Sequence, residues 1–353
     1  MDFKEILNQN KALVWPEIEK YLKINSQFPD YCKIDSHYQP LFDYAYSIIN
    51  EYPKRQGKYL RPTLLLLTAQ SMGYSATKAL KTAAAMQVSE DWILNHDDIE
   101  DDSLSRRGLP TLHRLFGIEL AINAGDGLHN LMWKILRDNE TVIGTTKTFE
   151  IMDEFFTMLN RTVIGQTIEI KWFRENKLDM TNEDLMLIME SKTGYYTIGG
   201  PMRLGAILAG ANQSQLELIY RFGRILGIAF QIKDDLLDLT STFGGQKTQY
   251  GNDIYEGKRT LMLVHLLHAA NPDDKNKLLQ ILKLERSQKT KEHIDTVIKM
   301  MNQYGSLEYG NQLAKKMADD AVNLLHSNLQ FLEKQPYRDQ LESGINFIIN
   351  RDH

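Results

Sequence analysis

Apolar residues recur at three- and four-residue spacing along most of the chain, which is the period of an α-helix. This pattern predicts helices over 77–102, 118–137, 146–173, 181–210 and 214–241. The period-two alternation that is typical of β-strands is scarce. We therefore expect an all-α protein.

Local signals refine these helices. Thr181, with Asp184 three residues later, predicts a capping box at a helix start. The segment 241–257 is the best loop candidate. Glycine inside a helix costs about 1 kcal/mol relative to alanine, so glycines retained there indicate close helix packing. Four lie within the predicted helices: Gly165, Gly194, Gly223 and Gly227.

Composition favours a globular protein, since the 353 residues are 42% hydrophobic and 25% charged. No low-complexity linker divides the chain, so we expect one domain over residues 1–353. The net charge is −5, and no long lysine or arginine block predicts nucleic-acid binding.

Cys32 is the single cysteine, which excludes an intrachain disulfide and fits a cytoplasmic protein. The first residues lack the apolar centre of a signal peptide. No apolar run reaches the roughly 18 residues of a membrane span, so no span is predicted.

Two aspartate clusters provide the strongest chemical signal. Each has the form D-D-x-x-D and closes an apolar helical run, and carboxylates at i and i+4 share a helix face. Clustered carboxylates suit Mg²⁺ with a phosphate on its far side. Two such clusters predict two walls of one metal–phosphate site. The clustered residues are Asp97, Asp98 and Asp101, and Asp234, Asp235 and Asp238.

Basic residues flank both clusters. Lys58 and Arg61 lie at a probable helix start, where an anion is favoured. Arg106 and Arg107 follow the first cluster, and Lys258 follows the second. Arginine can also bind phosphate in a bidentate manner, so these positions predict phosphate contacts.

The motifs between Gly57 and Thr260 resemble, in order, those of the trans-isoprenyl diphosphate synthases, which include farnesyl and geranylgeranyl diphosphate synthases. The resemblance implies the isoprenoid synthase fold, a single-domain helical bundle around a deep central cavity. It also implies a homodimer. The matching segments are GKYLRP, HDDIEDDSLSRRGLPTLH, AGD, GQTIEI, SKTGYYT, FQIKDDLLDL and DIYEGKRTL.

The resemblance implies that three Mg²⁺ ions hold the diphosphate of an allylic substrate. Asp97, Asp101 and Asp234 are then the expected direct ligands. The other three cluster aspartates are expected to act through water or through these ligands: Asp98, Asp235 and Asp238. Glu100 and Asp102 are expected to face solvent.

The resemblance also assigns the cations. Arg106 would contact the allylic diphosphate, whereas Lys58, Arg61 and Arg107 would bind isopentenyl diphosphate. Further residues are expected to contact the substrates or to line the reaction centre: Gln166, Lys192, Thr193, Gln231 and Lys258. Lys247 is a possible additional ligand.

Glu90 departs from the family pattern, because this position usually holds histidine or glutamine near isopentenyl diphosphate. A carboxylate there would repel phosphate unless it is protonated or paired with Lys58 or Arg61. We nevertheless expect Glu90 to belong to the substrate-binding residues.

In this family, bulk upstream of the first cluster sets product length, and here Trp92 and Ile93 occupy that place. On a helix, Trp92 points well away from the face of Asp97, so packing in the core or at a dimer contact is an equal alternative. The smaller Ile93 favours a C20 product over C15.

Two other functions share parts of this pattern. A terpene cyclase also uses D-D-x-x-D, but it has no need of Lys58, Arg61 and Arg107. A regulatory subunit of a heteromeric synthase tends to lose its aspartates, whereas this chain keeps both sets.

Overall fold

A computed structural model describes residues 2–23, 30–33, 35–240 and 250–350. Lys247 and most of the predicted loop therefore lie outside the described residues. Across these ranges the protein is helical, which confirms the all-α prediction. The described strands are β1 (Ser105–Arg106) and β2 (Leu109–Pro110), which pair antiparallel in a short hairpin.

The α-helices are numbered in chain order. They are α1 Phe3–Tyr21, α2 Gln39–Ile49, α3 Glu51–Arg55, α4 Leu60–Ser71, α5 Ala76–Glu100, α6 Leu112–Phe116, α7 Ile118–Arg137, α8 Glu140–Ile143, α9 Thr145–Arg174, α10 Asn182–Ile188, α11 Gly200–Leu208, α12 Gln213–Thr240, α13 Asn252–Glu256, α14 Leu261–Ala269, α15 Pro272–Leu282, α16 Lys291–Gln303, α17 Ser306–Asn328 and α18 Tyr337–Asn350. Short 3₁₀ turns lie at Asp30–Cys32, Ser36–Tyr38 and Arg286–Gln288.

The helices predicted from periodicity are confirmed as α5, α7, α9 and α12, with ends that agree to within two residues. The prediction over 181–210 was incomplete. The run begins with α10 at the predicted Thr181–Asp184 capping box and ends with α11. Between them, Met189–Gly199 winds as a π-helix, a rare form that is frequent at functional sites.

The chain divides into two compact units. The first comprises Met1–Glu154, Pro201–Asn212 and Phe331–Leu341, and the second comprises Phe155–Gly200, Gln213–Gln330 and Glu342–His353. The expectation of a single domain over residues 1–353 stays a prediction.

The first unit is built around α4, α5 and α7. Leu64–Leu67 of α4 are almost fully buried, and α5 contributes small buried residues such as Ala83–Ala85. Close packing of α5 on α7 requires Gly125, because a Cβ there would lie 2.2 Å from the His96 ring. This packing fixes the C-terminal end of α5, where the first aspartate cluster lies.

The second unit has its core between α12, α14, α16 and α17. The core includes Ile232 and Leu236 of α12, Leu266 of α14 and Val297 of α16, all at most 2% exposed. Helix α12 therefore contributes both to this core and to the second aspartate cluster. Within the described residues, no helix is long and apolar enough to cross a bilayer.

Candidate active site

The first aspartate cluster lies at the C-terminal end of α5, and its members have different surroundings. Asp97 and Asp101 are half-buried, and the backbone N–H of Asp101 donates to the Asp97 carbonyl at 2.9 Å. Glu100 and Asp102 are exposed, as expected. Asp97 and Asp101 are therefore one helical turn apart and partly accessible, which suits direct binding of a cation.

Asp98 is completely buried and belongs to an ion pair. Its carboxylate accepts from Arg106 Nε at 3.0 Å and from the Tyr52 hydroxyl at 2.6 Å. Arg106 Nη2 lies 2.5 Å from Asp98 and 3.7 Å from Asp97. Asp98 thus holds Arg106 beside Asp97, and sequence reasoning missed Tyr52 as the third member.

The charges in this group stabilise each other. Burial alone would lower the pKa of the Arg106 guanidinium, but the Asp98 carboxylate raises it above its ordinary value. Burial and the same carboxylate raise the pKa of the Tyr52 hydroxyl. Tyr52 therefore remains a neutral donor, and Arg106 remains a cation.

The hairpin separates the two adjacent arginines. Arg107 and Gly108 form its turn with φ of 55° and 78°, the left-handed pair that two-residue hairpins of type I′ need. Arg106 pairs with Asp98, whereas Arg107 donates to the Tyr52 carbonyl at 2.9 Å. Gly57 makes room for Arg107, because a Cβ at Gly57 would lie 2.8 Å from Arg107 Nη2.

Arg61, Arg107, Glu90 and Asp91 form a second charged group in the same unit. Arg61 Nη1 lies 3.2 Å from Glu90 Oε2, and Arg107 Nη2 lies 3.7 Å from Glu90 Oε1. Arg107 Nη2 also lies 2.8 Å from Asp91. Glu90 is thus paired with Arg61, one of the two partners that the sequence suggested.

Lys58 precedes α4, and Arg61 lies in its first turn, as predicted from the sequence. Lys58 is exposed and Arg61 is half-buried. Burial raises the pKa of Asp91 to about 6, although Arg107 opposes this shift. No spacing in the sequence indicated Asp91, whose importance arises from its contact with Arg107.

Trp92 of α5 packs against α7 within the first unit. Its ring centroid lies 4.3 Å from that of His129 and 6.1 Å from that of His96. Trp133 Nε1 donates to His129 Nε2 at 2.9 Å, so His129 carries its proton on Nδ1. Burial lowers the pKa of His129, which favours this neutral form. Ile93 is half-buried beside Trp92.

The second aspartate cluster is positioned by glycine contacts in the second unit. A Cβ at Gly223 or Gly227 of α12 would lie 2.2 or 2.3 Å from the Cα of Gly199 or Gly194 in the π-helix. The predicted close packing is therefore confirmed. This packing lets Thr193 Oγ1 donate to Gln231 Oε1 at 2.8 Å, while Gln231 Nε2 donates to Asp235 Oδ1 at 2.7 Å.

The three aspartates of this cluster again differ. Asp234 is exposed, whereas Asp235 is 7% exposed. Asp238 accepts from the backbone N–H groups of Asn252 at 3.2 Å and Asp253 at 3.0 Å, which ties α12 to the start of α13. Burial, followed by Asp253, raises the pKa of Asp235 well above its usual range.

The two lysines of this unit that were predicted from the sequence are each paired with a glutamate. Lys192 Nζ lies 2.7 Å from Glu169 Oε2, and Lys258 Nζ lies 2.9 Å from Glu256 Oε2. Gln166 is half-buried on α9, one turn before Glu169. Glu256 was not singled out from the sequence, since an isolated glutamate before Gly257 gives no signal.

Mg²⁺ fits the carboxylates of these clusters that are at least partly accessible. Within the described ranges, no three histidine, cysteine, aspartate or glutamate side chains converge closely enough to hold a metal by themselves. Mg²⁺ commonly uses one or two carboxylates together with substrate phosphates and water. Asp97 with Asp101, and Asp234, could supply such carboxylates.

The chain is similar to one protein family and to individual proteins from two organisms. Residues 43–301 match the family described as polyprenyl synthetase. The chain is 31% identical over 298 residues to a short chain isoprenyl diphosphate synthase of Methanothermobacter thermautotrophicus, covering 84% of this chain and 87% of that protein. It is 32% identical to a geranylgeranyl diphosphate synthase of Sulfolobus acidocaldarius, covering 76% and 80%.

One solved structure is similar to this protein over nearly the whole length of both chains. The crystal structure of geranylgeranyl pyrophosphate synthetase from Pyrococcus horikoshii superposes with a TM-score of 0.82 at 28% identity. The match covers 99% of each chain.

Proposed function

Because the chain belongs to the polyprenyl synthetase family, we propose that it is a prenyltransferase that condenses isopentenyl diphosphate with an allylic diphosphate. The reaction proceeds by ionisation of the allylic substrate, condensation and proton elimination. The observation that carries this proposal is the pair of aspartate clusters, each with accessible carboxylates and neighbouring cations.

The allylic diphosphate is assigned to the aspartates. Asp97, Asp101 and Asp234 would hold Mg²⁺, with three ions in each active site. The bound Mg²⁺ supplies positive charge that stabilises the departing diphosphate. Arg106 adds a fixed cation beside Asp97, and its bond to Asp98 prevents it from swinging away.

Isopentenyl diphosphate is assigned to Lys58, Arg61 and Arg107. Arg61 and Arg107 converge on the Glu90 carboxylate, so their guanidinium groups already lie close to one anionic group. Guanidinium groups held in this way bind a diphosphate with little movement of their own, and they orient the double bond of the substrate.

The residues of the second unit assist charge separation. Lys192, Thr193, Gln231 and Lys258 are assigned to the reaction centre, and Gln166 is assigned to substrate binding. The hydrogen bond from Thr193 to Gln231 and the ion pair of Lys192 with Glu169 hold these groups in place. Ordered donors and cations stabilise a departing diphosphate more strongly than mobile water does.

The product proposed is geranylgeranyl diphosphate, with farnesyl diphosphate as the alternative. The names of the relatives support the C20 product. Trp92, whose ring packs against His129, would limit the product length together with Ile93. Longer products and terpene cyclisation fit less well.

We further propose a homodimer in the cytoplasm. Exposed apolar residues on α6 and α7, including Leu115, Ile118 and Ile122, offer a surface for a second copy. Light scattering of the purified chain should give twice the 40.8 kDa of one chain. A monomeric mass at working concentration would contradict the dimer.

The decisive experiment is an assay with isopentenyl diphosphate, Mg²⁺ and C5, C10 or C15 allylic primers, with products separated by chromatography. Elongation to C20 supports the proposal, and arrest at C15 selects the alternative. A cyclic hydrocarbon would indicate a cyclase, and inactivity without a partner would indicate a subunit.

The assay also tests the metal ligands. Asp97→Ala and Asp234→Ala should each lower kcat at least about a hundredfold, because both remove transition-state charge stabilisation. Asp319→Ala, on α17 and outside the proposed site, is the matched control and should retain activity. Normal turnover in either cluster variant would refute the metal assignment.

A further inference from the structure

Glu90 places a buried carboxylate among the cations assigned to isopentenyl diphosphate. The residue is 8% exposed, and its two oxygens lie 3.2 Å from Arg61 and 3.7 Å from Arg107. A carboxylate that bridges two guanidinium groups occupies the position that an anionic ligand would take.

Arg107 has a counter-charge even without Glu90. Asp91 is 1% exposed and already lies 2.8 Å from Arg107 Nη2. Glu90 therefore adds a second negative charge to a group whose assigned partner carries several negative charges.

Tyr59 provides independent support for a ligand at this place. Its side chain is 1% exposed, and its hydroxyl has no hydrogen-bond partner in the described part of the chain. Burial raises the pKa of this hydroxyl, and the charges of Asp91, Arg107 and Glu90 also act on it. A buried unsatisfied hydroxyl costs about 1–3 kcal/mol, and a phosphate oxygen could accept its hydrogen bond.

We propose that Glu90 competes with the isopentenyl diphosphate for Arg61 and Arg107 and thereby sets the affinity of this site. This inference rests on the proposed function. In the substrate-free protein the Glu90 carboxylate lies between the two guanidinium groups and, together with Asp91, balances their charge. Binding of the diphosphate moves the carboxylate away from the guanidinium groups, and the loss of its ion pairs opposes binding.

The physical basis is the cost of bringing like charges together. A carboxylate within a few ångströms of a bound diphosphate repels it, and the repulsion is large where water is excluded. The same carboxylate stabilises the empty site, because it is paired with the half-buried Arg61 and removing one partner of such an ion pair is costly. Glu90 thus lowers the affinity for the substrate and raises the stability of the substrate-free protein.

The test is isothermal titration of isopentenyl diphosphate into the full chain and into Glu90→Gln, which keeps the shape and removes the charge. We expect the Kd to fall about tenfold, an electrostatic effect of about 1.4 kcal/mol. The KM for isopentenyl diphosphate should fall in parallel, while the KM for the allylic primer stays the same.

Glu119→Gln is the matched control, since Glu119 is an exposed acid on α7 that changes the net charge equally. Its Kd should equal that of the unaltered chain. Glu90→Ala, which also removes the carboxylate, serves if Glu90→Gln does not fold, and it should shift the Kd in the same direction.

Arg61→Ala distinguishes failure of the competition by Glu90 from failure of the substrate-site assignment. If Arg61→Ala weakens binding but removal of the Glu90 charge leaves the Kd unchanged or raises it, the competition by Glu90 is refuted and the substrate site stands. If Arg61→Ala leaves the Kd unchanged, the assignment of the site itself fails.

Discussion

Neighbouring residues of one motif have different functions in this protein. Asp97 is partly accessible, whereas Asp98 is buried against Arg106 and Tyr52. The cause is the helical period, which turns consecutive side chains by about 100°. The assignment of Asp98 as a metal-associated residue stays a prediction, and the structure shows that its oxygens hold Arg106.

This difference predicts opposite effects for two matched substitutions. Asp98→Asn leaves the buried Arg106 without its counter-charge and should lower the free energy of unfolding by about 3 kcal/mol. Asp97→Asn should cost much less stability but should abolish most activity. Chemical denaturation and the elongation assay measure the two effects, and equal stability losses would contradict this division.

At the scale of elements, the backbone conformation decides which side chains meet. The hairpin turn at Arg107 and Gly108 directs adjacent arginines to separate carboxylates. The π-helix packs through glycine on α12, which brings Thr193 to Gln231. Neither the π-helix nor the turn type was evident from hydrophobic periodicity, since both depend on a few positions.

The packing of α5 on α7 leads to a prediction about product length. Trp92→Ala should lengthen the product beyond C20, and His129→Ala should do so to a smaller extent, because His129 supports the Trp92 ring. Chromatography of the products measures the shift. His326→Ala, an exposed histidine on α17, should leave the distribution unchanged.

An unchanged product in Trp92→Ala would remove Trp92 from the control of chain length. A shift in Trp92→Ala without one in His129→Ala would leave Trp92 as the determinant and would exclude support by His129.

At the scale of the molecule, the isoprenoid synthase fold predicted from the motifs is confirmed by the likeness to a solved synthetase over 99% of both chains. Each compact unit contains one aspartate cluster and its own cations. Lys58, Arg61, Arg106 and Arg107 belong to the first unit, and Lys258 belongs to the second.

If both clusters serve one site, they should respond to ligand together. Mg²⁺ with inorganic diphosphate at about a hundred times its Kd should stabilise the protein by about 2.7 kcal/mol. Thermal unfolding should show this as a higher Tm. Asp97→Ala and Asp234→Ala should each remove nearly the whole effect, with Asp319→Ala as the control. Partial stabilisation in both cluster variants would indicate two separate sites.

The sequence by itself determined the helical class and the limits of four long helices, and it predicted the residue types of the site. It could do so because the period of apolar residues and the D-D-x-x-D spacing are local properties. Only the tertiary structure decided the partners: Tyr52 and Arg106 for Asp98, Arg61 for Glu90, His129 for Trp92 and Gln231 for Thr193. These contacts join residues far apart in the chain. Their geometry depends on how closely helices pack, which single glycines such as Gly125 and Gly227 control.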